Sequence, residues 1–132
     1  MSARTPVPGP ASAPASAPVF LDTPAFAPGE VFSLDGVLAR GEPWFNQALV
    51  GANDSVLRVA RLHGEFHHHS HATDELFFVI DSAMQIEIDG VMHDLPTGSG
   101  VCVPAGVVHR TRADHPCTVL LVAAREASMA GR

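Results

Sequence analysis

From residue 46 onward, apolar and polar side chains alternate in short runs broken by turn-forming residues, a pattern of many short strands. The predicted strands are 47–51, 55–63, 65–71, 75–81, 84–89, 91–95, 100–104, 107–112 and 117–123. In 84–89, Met84, Ile86 and Ile88 interleave with Gln85, Glu87 and Asp89, so one face is buried and the other wet. In 75–81 both faces are apolar, with Phe77 and Val79 on the Glu75 side and Leu76, Phe78 and Ile80 on the other. The run 117–123 is apolar on both faces as well. Such strands need a cover outside as well as a filling within. A second copy of the chain is one cover; the segment 20–45, with Phe20, Phe26, Phe32 and Trp44, is another.

Turn chemistry joins these runs. Asp89-Gly90 predicts a tight hairpin, since both residues tolerate positive φ. Pro104 and Gly106 suit positions i+1 and i+3 of a type I turn that redirects the chain toward His109. Short strands at close spacing favour a sandwich or barrel, and an all-β jelly roll fits them. Residues 30–45 read equally as a short helix or an edge strand.

At 132 residues the chain makes one domain with a sizeable core. Seven of its eleven prolines fall in the first 28 residues, and 11–18 read Ala-Ser-Ala-Pro-Ala-Ser-Ala-Pro. Prolines so spaced forbid a helix, and alanine and serine bury little. The expected organisation is a flexible tail over 1–28, a folded domain over 29–125 and a short C-terminal tail over 126–132. No apolar run is long enough for a secretory signal or a bilayer span, so no membrane partner and a cytoplasmic location are expected.

Charge and absences narrow the chemistry. A net charge of −6 argues against nucleic acid, whose phosphates need a basic surface. The chain has no lysine for a Schiff base and no tyrosine for a phenol acid. It lacks a glycine-rich phosphate loop and a Gly-x-Ser-x-Gly elbow. Cys102 and Cys117 make no disulfide framework, and Cys102, inside Gly-Val-Cys-Val-Pro, reads as a buried reduced thiol.

The stretch Gly64–Glu75 carries the candidate chemistry, with His67, His68, His69 and His71 inside a dozen residues. His69 and His71 are two apart, so on a strand both rings leave the same face. Glu75 is near enough to return beside them after a turn, and His109 would arrive on another strand. Three imidazoles and one carboxylate suit a single divalent transition metal such as iron, manganese, nickel, zinc or copper. His67 shares the parity of His69 and is a weak candidate acid or base. A partly exposed position at the rim is the better reading for it. His63, His68, His93 and His115 read as surface residues, and Asp74 as a turn or capping residue.

These residues resemble the cupin superfamily. Its first motif, Gly-x5-His-x-His-x(3,4)-Glu-x6-Gly, is met by His69, His71 and Glu75. Ser82 stands at the closing glycine, and Gly64 lies one residue nearer the first histidine. The second motif, Gly-x5-Pro-x-Gly-x2-His-x3-Asn, is met in register by Gly98, Pro104, Gly106 and His109, with Ala113 at the asparagine. The motifs span 64–113, and flanking strands extend the resemblance over most of 45–125. It implies a small single-domain, RmlC-like jelly roll, a double-stranded β-helix, that holds one metal and commonly dimerises. It also implies a small oxygenated organic substrate and a dioxygenase, isomerase or decarboxylase type of activity. Phe77, Val79, Met84 and Ile86, with Val101 or Val103, are the expected apolar pocket walls. A non-catalytic module that binds or senses a small molecule is the alternative.

Overall fold

Strand β8 (His109–Ala124) organises the sheet in the computed structural model, which describes residues 18–40 and 44–125. The chain runs β1 (Val19–Leu21), α1 (Leu34–Arg40), β2 (Phe45–Ala52), β3 (Ser55–Glu65), β4 (Glu75–Asp81), β5 (Met84–Ile88), β6 (Val91–Leu95), β7 (Gly100–Val103), β8. β8 pairs antiparallel with β3, from Ser55↔Ala124 to Glu65↔Arg112. β4 pairs with it over Thr118–Ala123 and β5 over His109–Arg112. The order β1-β2-β3-β8-β4-β7, with β5 and β6 branching from β8, is a jelly-roll sheet wrapped around one core. No helix among the described residues is long and apolar enough to cross a membrane.

Two runs expected as separate strands, 107–112 and 117–123, are therefore one. Asp114, His115 and Pro116 looked like a break because proline cannot donate to a ladder. The register passes from Leu62↔Cys117 to Gly64↔Ala113, so these three exposed residues bulge opposite His63. A bulge needs no donor from Pro116. The expected strand 65–71 ends instead at Glu65, and its remainder is irregular except for a bridge between His69 and His109.

The hairpin at Asp89-Gly90 is as expected, with φ of 49° and 84° and Ile88 paired to Val91. The turn before His109 is shifted by one residue. Val107 N donates to Pro104 O, which makes Pro104 position i and puts Gly106 at i+2 with φ 82°, the requirement of a type II turn.

The barrel interior is filled by the inward residues of β4, β5 and β8, among them Phe77, Val79, Ile86, Val119 and Leu121. A second cluster lies outside β2 and β3, where Val37, Leu34 and Leu38 of α1 cover Phe45, Leu49 and Val59. Residues 34, 37 and 38 lie on one helical face. Ser33 caps that helix, its Oγ accepting from Asp35 N at 3.2 Å. So within the stretch 30–45 the described residues form α1 and the start of β2, and the apolar residues of α1 cover β2 and β3. The outer face of β4 stays open, with Leu76 39 %, Phe78 40 % and neighbouring Val122 38 % exposed.

The tail expected over 1–28 overlaps ordered structure. Val19–Leu21 pairs in parallel with Phe45–Gln47, and Asp22 Oδ1 accepts from Arg58 Nη2 at 2.8 Å. Arg58 is 3 % exposed, and its Nε donates to Asn46 Oδ1 at 2.5 Å. Three apolar residues sufficed for a strand because the edge of β2 was open to them. Residues 1–17 and the expected C-terminal tail 126–132 lie outside the described residues. The cysteine assignment reverses as well. Cys102 is exposed on β7 while Cys117 is the buried thiol, pushed up to about 11 by burial and by the Asp81 charge.

Candidate metal centre

Two loops bring the candidate ligands together. His69 and His109 exchange backbone bonds, His69 N to His109 O at 3.0 Å and His109 N to His69 O at 2.9 Å. Gly106 N donates to His71 O at 2.8 Å, and Asp74 Oδ1 accepts from Ala105 N at 2.8 Å. Asp74 thus fastens the turn before His109 to the segment before Glu75. Glu75 opens β4 and points inward with Phe77 and Val79. His69, His71, Glu75 and His109 are all buried, and one ligand atom from each lies within 4.8 Å of the others.

Ring orientation follows from the backbone. His69 Nδ1 sits 3.0 Å from His67 O, and His109 Nδ1 sits 3.0 Å from Val107 O. A carbonyl only accepts, so each Nδ1 carries the proton and each Nε2 keeps its lone pair when the ring is neutral. His71 Nε2 is buried without a hydrogen bond. His71 Nε2 and His109 Nε2 both lie 3.1 Å from Glu75 Oε1. A neutral His109 would turn its Nε2 lone pair toward the carboxylate, which repels unless a proton or a cation lies between them.

Protonation reflects that conflict. Burial pushes Glu75 up, but the imidazoles of His109 and His71, each 3.1 Å from its Oε1, outweigh it and hold the carboxyl down at about 2. His69 is lowered to about 4, first by burial and then by the neighbouring His109 and His71. Burial opposes charge on His109 too, yet the Glu75 hydrogen bond and the Val107 carbonyl raise it. The donor set fits a metal ion. Nitrogens about 2.0–2.1 Å from one divalent ion lie roughly 3 Å apart when cis and 4 Å when trans. The carbonyls on the far ring nitrogens are the usual outer partners of ligating imidazoles.

Beside the cluster is a cavity of about 430 Å³ that includes its open mouth. His69, Glu75 and Phe77 line it together with Phe20, Trp44, Phe66, Thr111 and Leu121. Of the four expected walls, Phe77 lines this space. Val79, Met84 and Ile86 are buried in the core behind. Phe20, Trp44 and Phe66 were not expected here. Phe20 arrives through β1, and Phe66 approaches it at 6.2 Å between ring centroids; their advance signal was aromatic character alone.

His67 is exposed, its ring centroid 4.1 Å from Phe66 and 5.2 Å from His69. His68 is exposed and pairs with Glu87 at 3.1 Å, where Arg110 bridges Glu87 and Glu65 at 3.0 Å each. His63, His93 and His115 are exposed, as expected.

The family model described as "Cupin domain" matches residues 56–123, just over half of the chain. The chain is a cupin. A cupin-2 domain protein from Shewanella frigidimarina matches at TM-score 0.65 and 26 % identity, over 70 % of this chain and 92 % of that one. Protein NMB1881 from Neisseria meningitidis matches at TM-score 0.65 and 22 % identity, over 72 % and 99 %. The DMSP lyase DddQ from Ruegeria pomeroyi shares the fold at TM-score 0.56 and 21 % identity, over 60 % and 45 %. No match was found among curated proteins. Ser82 shows why the first cupin motif closes on glycine: its φ is 67°, a left-handed conformation that glycine adopts without strain.

Proposed function

We propose that this cupin is a metal-dependent enzyme whose centre is His69, His71, Glu75 and His109. Its substrate is a small oxygenated organic molecule that chelates the metal. The observation that carries the reading is the buried convergence of three imidazoles on one carboxylate, with His71 Nε2 left without a hydrogen bond. A bound divalent ion supplies Lewis acidity, or electron transfer if it is iron, manganese, nickel or copper. The chain's own residues present neutral imidazoles, hold a carboxylate in place and exclude water through aromatic walls. Apart from His69 and Glu75, no residue lining the cavity among the described residues carries an acid or base. Isomerisation and decarboxylation commonly use a proton carrier at the reacting carbon, so dioxygenation is favoured among the three. The same lack favours, as a second reading, a site that binds or senses a small molecule without turning it over.

Elemental analysis after tag removal should give one metal per wild-type chain and none for His71→Ala, with the β-sheet signal retained. Equal metal in both proteins would remove the proposal. Oxygen uptake with candidate chelating substrates then separates enzyme from binder.

Two further parts belong to this reading. The open face of Leu76, Phe78 and Val122 is the surface through which two copies would form a homodimer, and a monomer mass by light scattering at tens of micromolar counts against it. An exposed free thiol at Cys102 suits the reducing cytoplasm.

A further inference from the structure

One hydroxyl on the wall of the cavity is unbonded yet still open to it. Thr111 is 5 % exposed, and its Oγ1 makes no hydrogen bond within the described residues. Trp44 Nε1 is unbonded too but sealed from open space, whereas Thr111 Oγ1 is not among the sealed atoms. Thr111 lines the cavity together with His69 and Glu75, so the surface it keeps faces that space.

The strand fixes where this side chain points. Thr111 stands two residues after His109 on β8, and side chains two apart leave the same face of a strand, roughly 6–7 Å from one another. Its cross-strand neighbour is Ile86, fully buried in the barrel interior, so that face is the inner one. Thr111 O accepts from Phe66 N at 3.1 Å, which pins the backbone here. The branched side chain then has few rotamers to choose from. A buried hydroxyl without a partner forgoes a bond that water had supplied.

The walls limit what the partner is. Phe20, Leu62, Phe66, Phe77 and Leu121 are apolar, and among the described residues no arginine lines the space. A phosphate or carboxylate beside Thr111 would be desolvated without a counter-charge, and Glu75 would repel it. Asn46, the other polar wall residue outside the cluster, has its Oδ1 taken by Arg58 Nε at 2.5 Å. A lone hydroxyl both donates and accepts, so it suits an uncharged oxygen.

We propose that Thr111 is a specificity-determining residue of this centre, selecting small ligands that carry an uncharged hydroxyl or carbonyl oxygen remote from their metal-chelating end. The proposal rests on the metal-centre reading above. The chelating end sits at His69, His71, Glu75 and His109 while Thr111 Oγ1 hydrogen-bonds the remote oxygen. A ligand with hydrocarbon at that place leaves the hydroxyl unpaired, which is how a buried polar group selects between ligands of similar shape.

Two hydroxypyranones differ at that one place. Kojic acid and allomaltol share a ring and a chelating oxygen pair; across the ring kojic acid carries a hydroxymethyl group and allomaltol a methyl. The full chain is loaded with Zn(II), and the affinity of each probe is measured by calorimetry. Wild type should bind kojic acid roughly five-fold more tightly than allomaltol. Thr111→Val, of the same shape, should keep one zinc per chain and its allomaltol affinity while losing the preference. Thr111→Ser should restore it. If wild type binds both probes alike, or if Thr111→Val retains the preference, the selecting role is overturned and the metal centre stands. A zinc-loaded chain that binds neither probe likewise overturns the selection alone. If wild type binds no zinc, the metal-centre reading falls and this inference with it. Should Thr111→Val fail to fold, Thr111→Ala, which also lacks the hydroxyl, takes its place.

Discussion

Two buried polar centres sit in this barrel, and the chain finishes them differently. Arg58 is closed: its guanidinium is bonded to Asn46 Oδ1, Asp22 Oδ1 and the carbonyls of Leu21 and Asn46. The histidine cluster is open, with Nε2 atoms converging on one carboxylate and His71 Nε2 unbonded. A polar group whose bonds are all made within the chain holds strands together. One whose bonds are left unmade is arranged for something that arrives. Burial alone does not separate the two; completeness of hydrogen bonding does.

That contrast breaks most visibly by substitution. His109→Ala should reduce bound metal from one per chain to near zero, measured by elemental analysis. The metal-free variant should still unfold in urea as a folded β protein, although a cavity and a buried Glu75 short of a partner lower its stability. Arg58→Leu should retain the metal while losing roughly 2 kcal/mol in the same unfolding experiment, because Asn46 and two carbonyls lose a donor. Its partner Asp22 is exposed, so little penalty comes from a stranded carboxylate. If Arg58→Leu loses the metal and His109→Ala keeps it, the distinction is wrong.

Removing the N-terminal strand tests the closed centre from another side. A chain beginning at Thr23 loses β1, Asp22 and the Phe20 wall, whereas one beginning at Ala15 keeps them. Thermal melts should show the first several degrees below the second, with zinc stoichiometry unchanged in both.

Acid and base sharpen the open centre. His69, lowered to about 4 from 6.5, gives the metal-free fold stability that is present above pH 6.5 and lost as pH falls toward 4. His109, raised above 6.5, contributes stability that is full below 6.5 and lost as pH rises through its folded value. Glu75, lowered to about 2 from 4.5, adds a further loss between those two values. Melting temperature of metal-free protein should therefore crest near pH 6.5, and His109→Ala should abolish the fall on the alkaline side. A profile flat from pH 5 to 8 would contradict this balance. Metal affinity should weaken on acidification, because the ion and the proton compete for His109 Nε2.

The smallest expected effect lies away from both centres. Ser82→Gly removes left-handed strain at φ 67° and should raise stability by about 0.5 kcal/mol in chemical unfolding, the glycine's extra backbone freedom offsetting part of the gain.

The site was more legible in the sequence than its surroundings, for a physical reason. Ligand chemistry restricts residue type and spacing at once, so His69, His71, Glu75 and His109 stand out. The strand at 75–81 and the Asp89-Gly90 hairpin were legible because side-chain period and positive φ are local properties. Nothing local announces that Val19–Leu21 will lie along β2, since that edge is created by residues far along the chain. Asp114-His115-Pro116 misled because a bulge and a strand end share the same composition. Cys102 misled for a related reason: an apolar run on β7 has one face turned outward.

The position of β8 has a consequence for how the molecule comes into being. β3, β4 and β5 each find one of their two partners in the described strand nearest the C-terminus. During synthesis those three emerge first and wait, each with one edge unpaired, until residues 109–124 follow. Folding then closes the whole sheet around one late arrival, as non-local β pairings do, slowly and in a single cooperative step. A nascent chain halted before that strand lacks the β8 side of the barrel interior, so its need for a chaperone is greatest just before completion of the barrel.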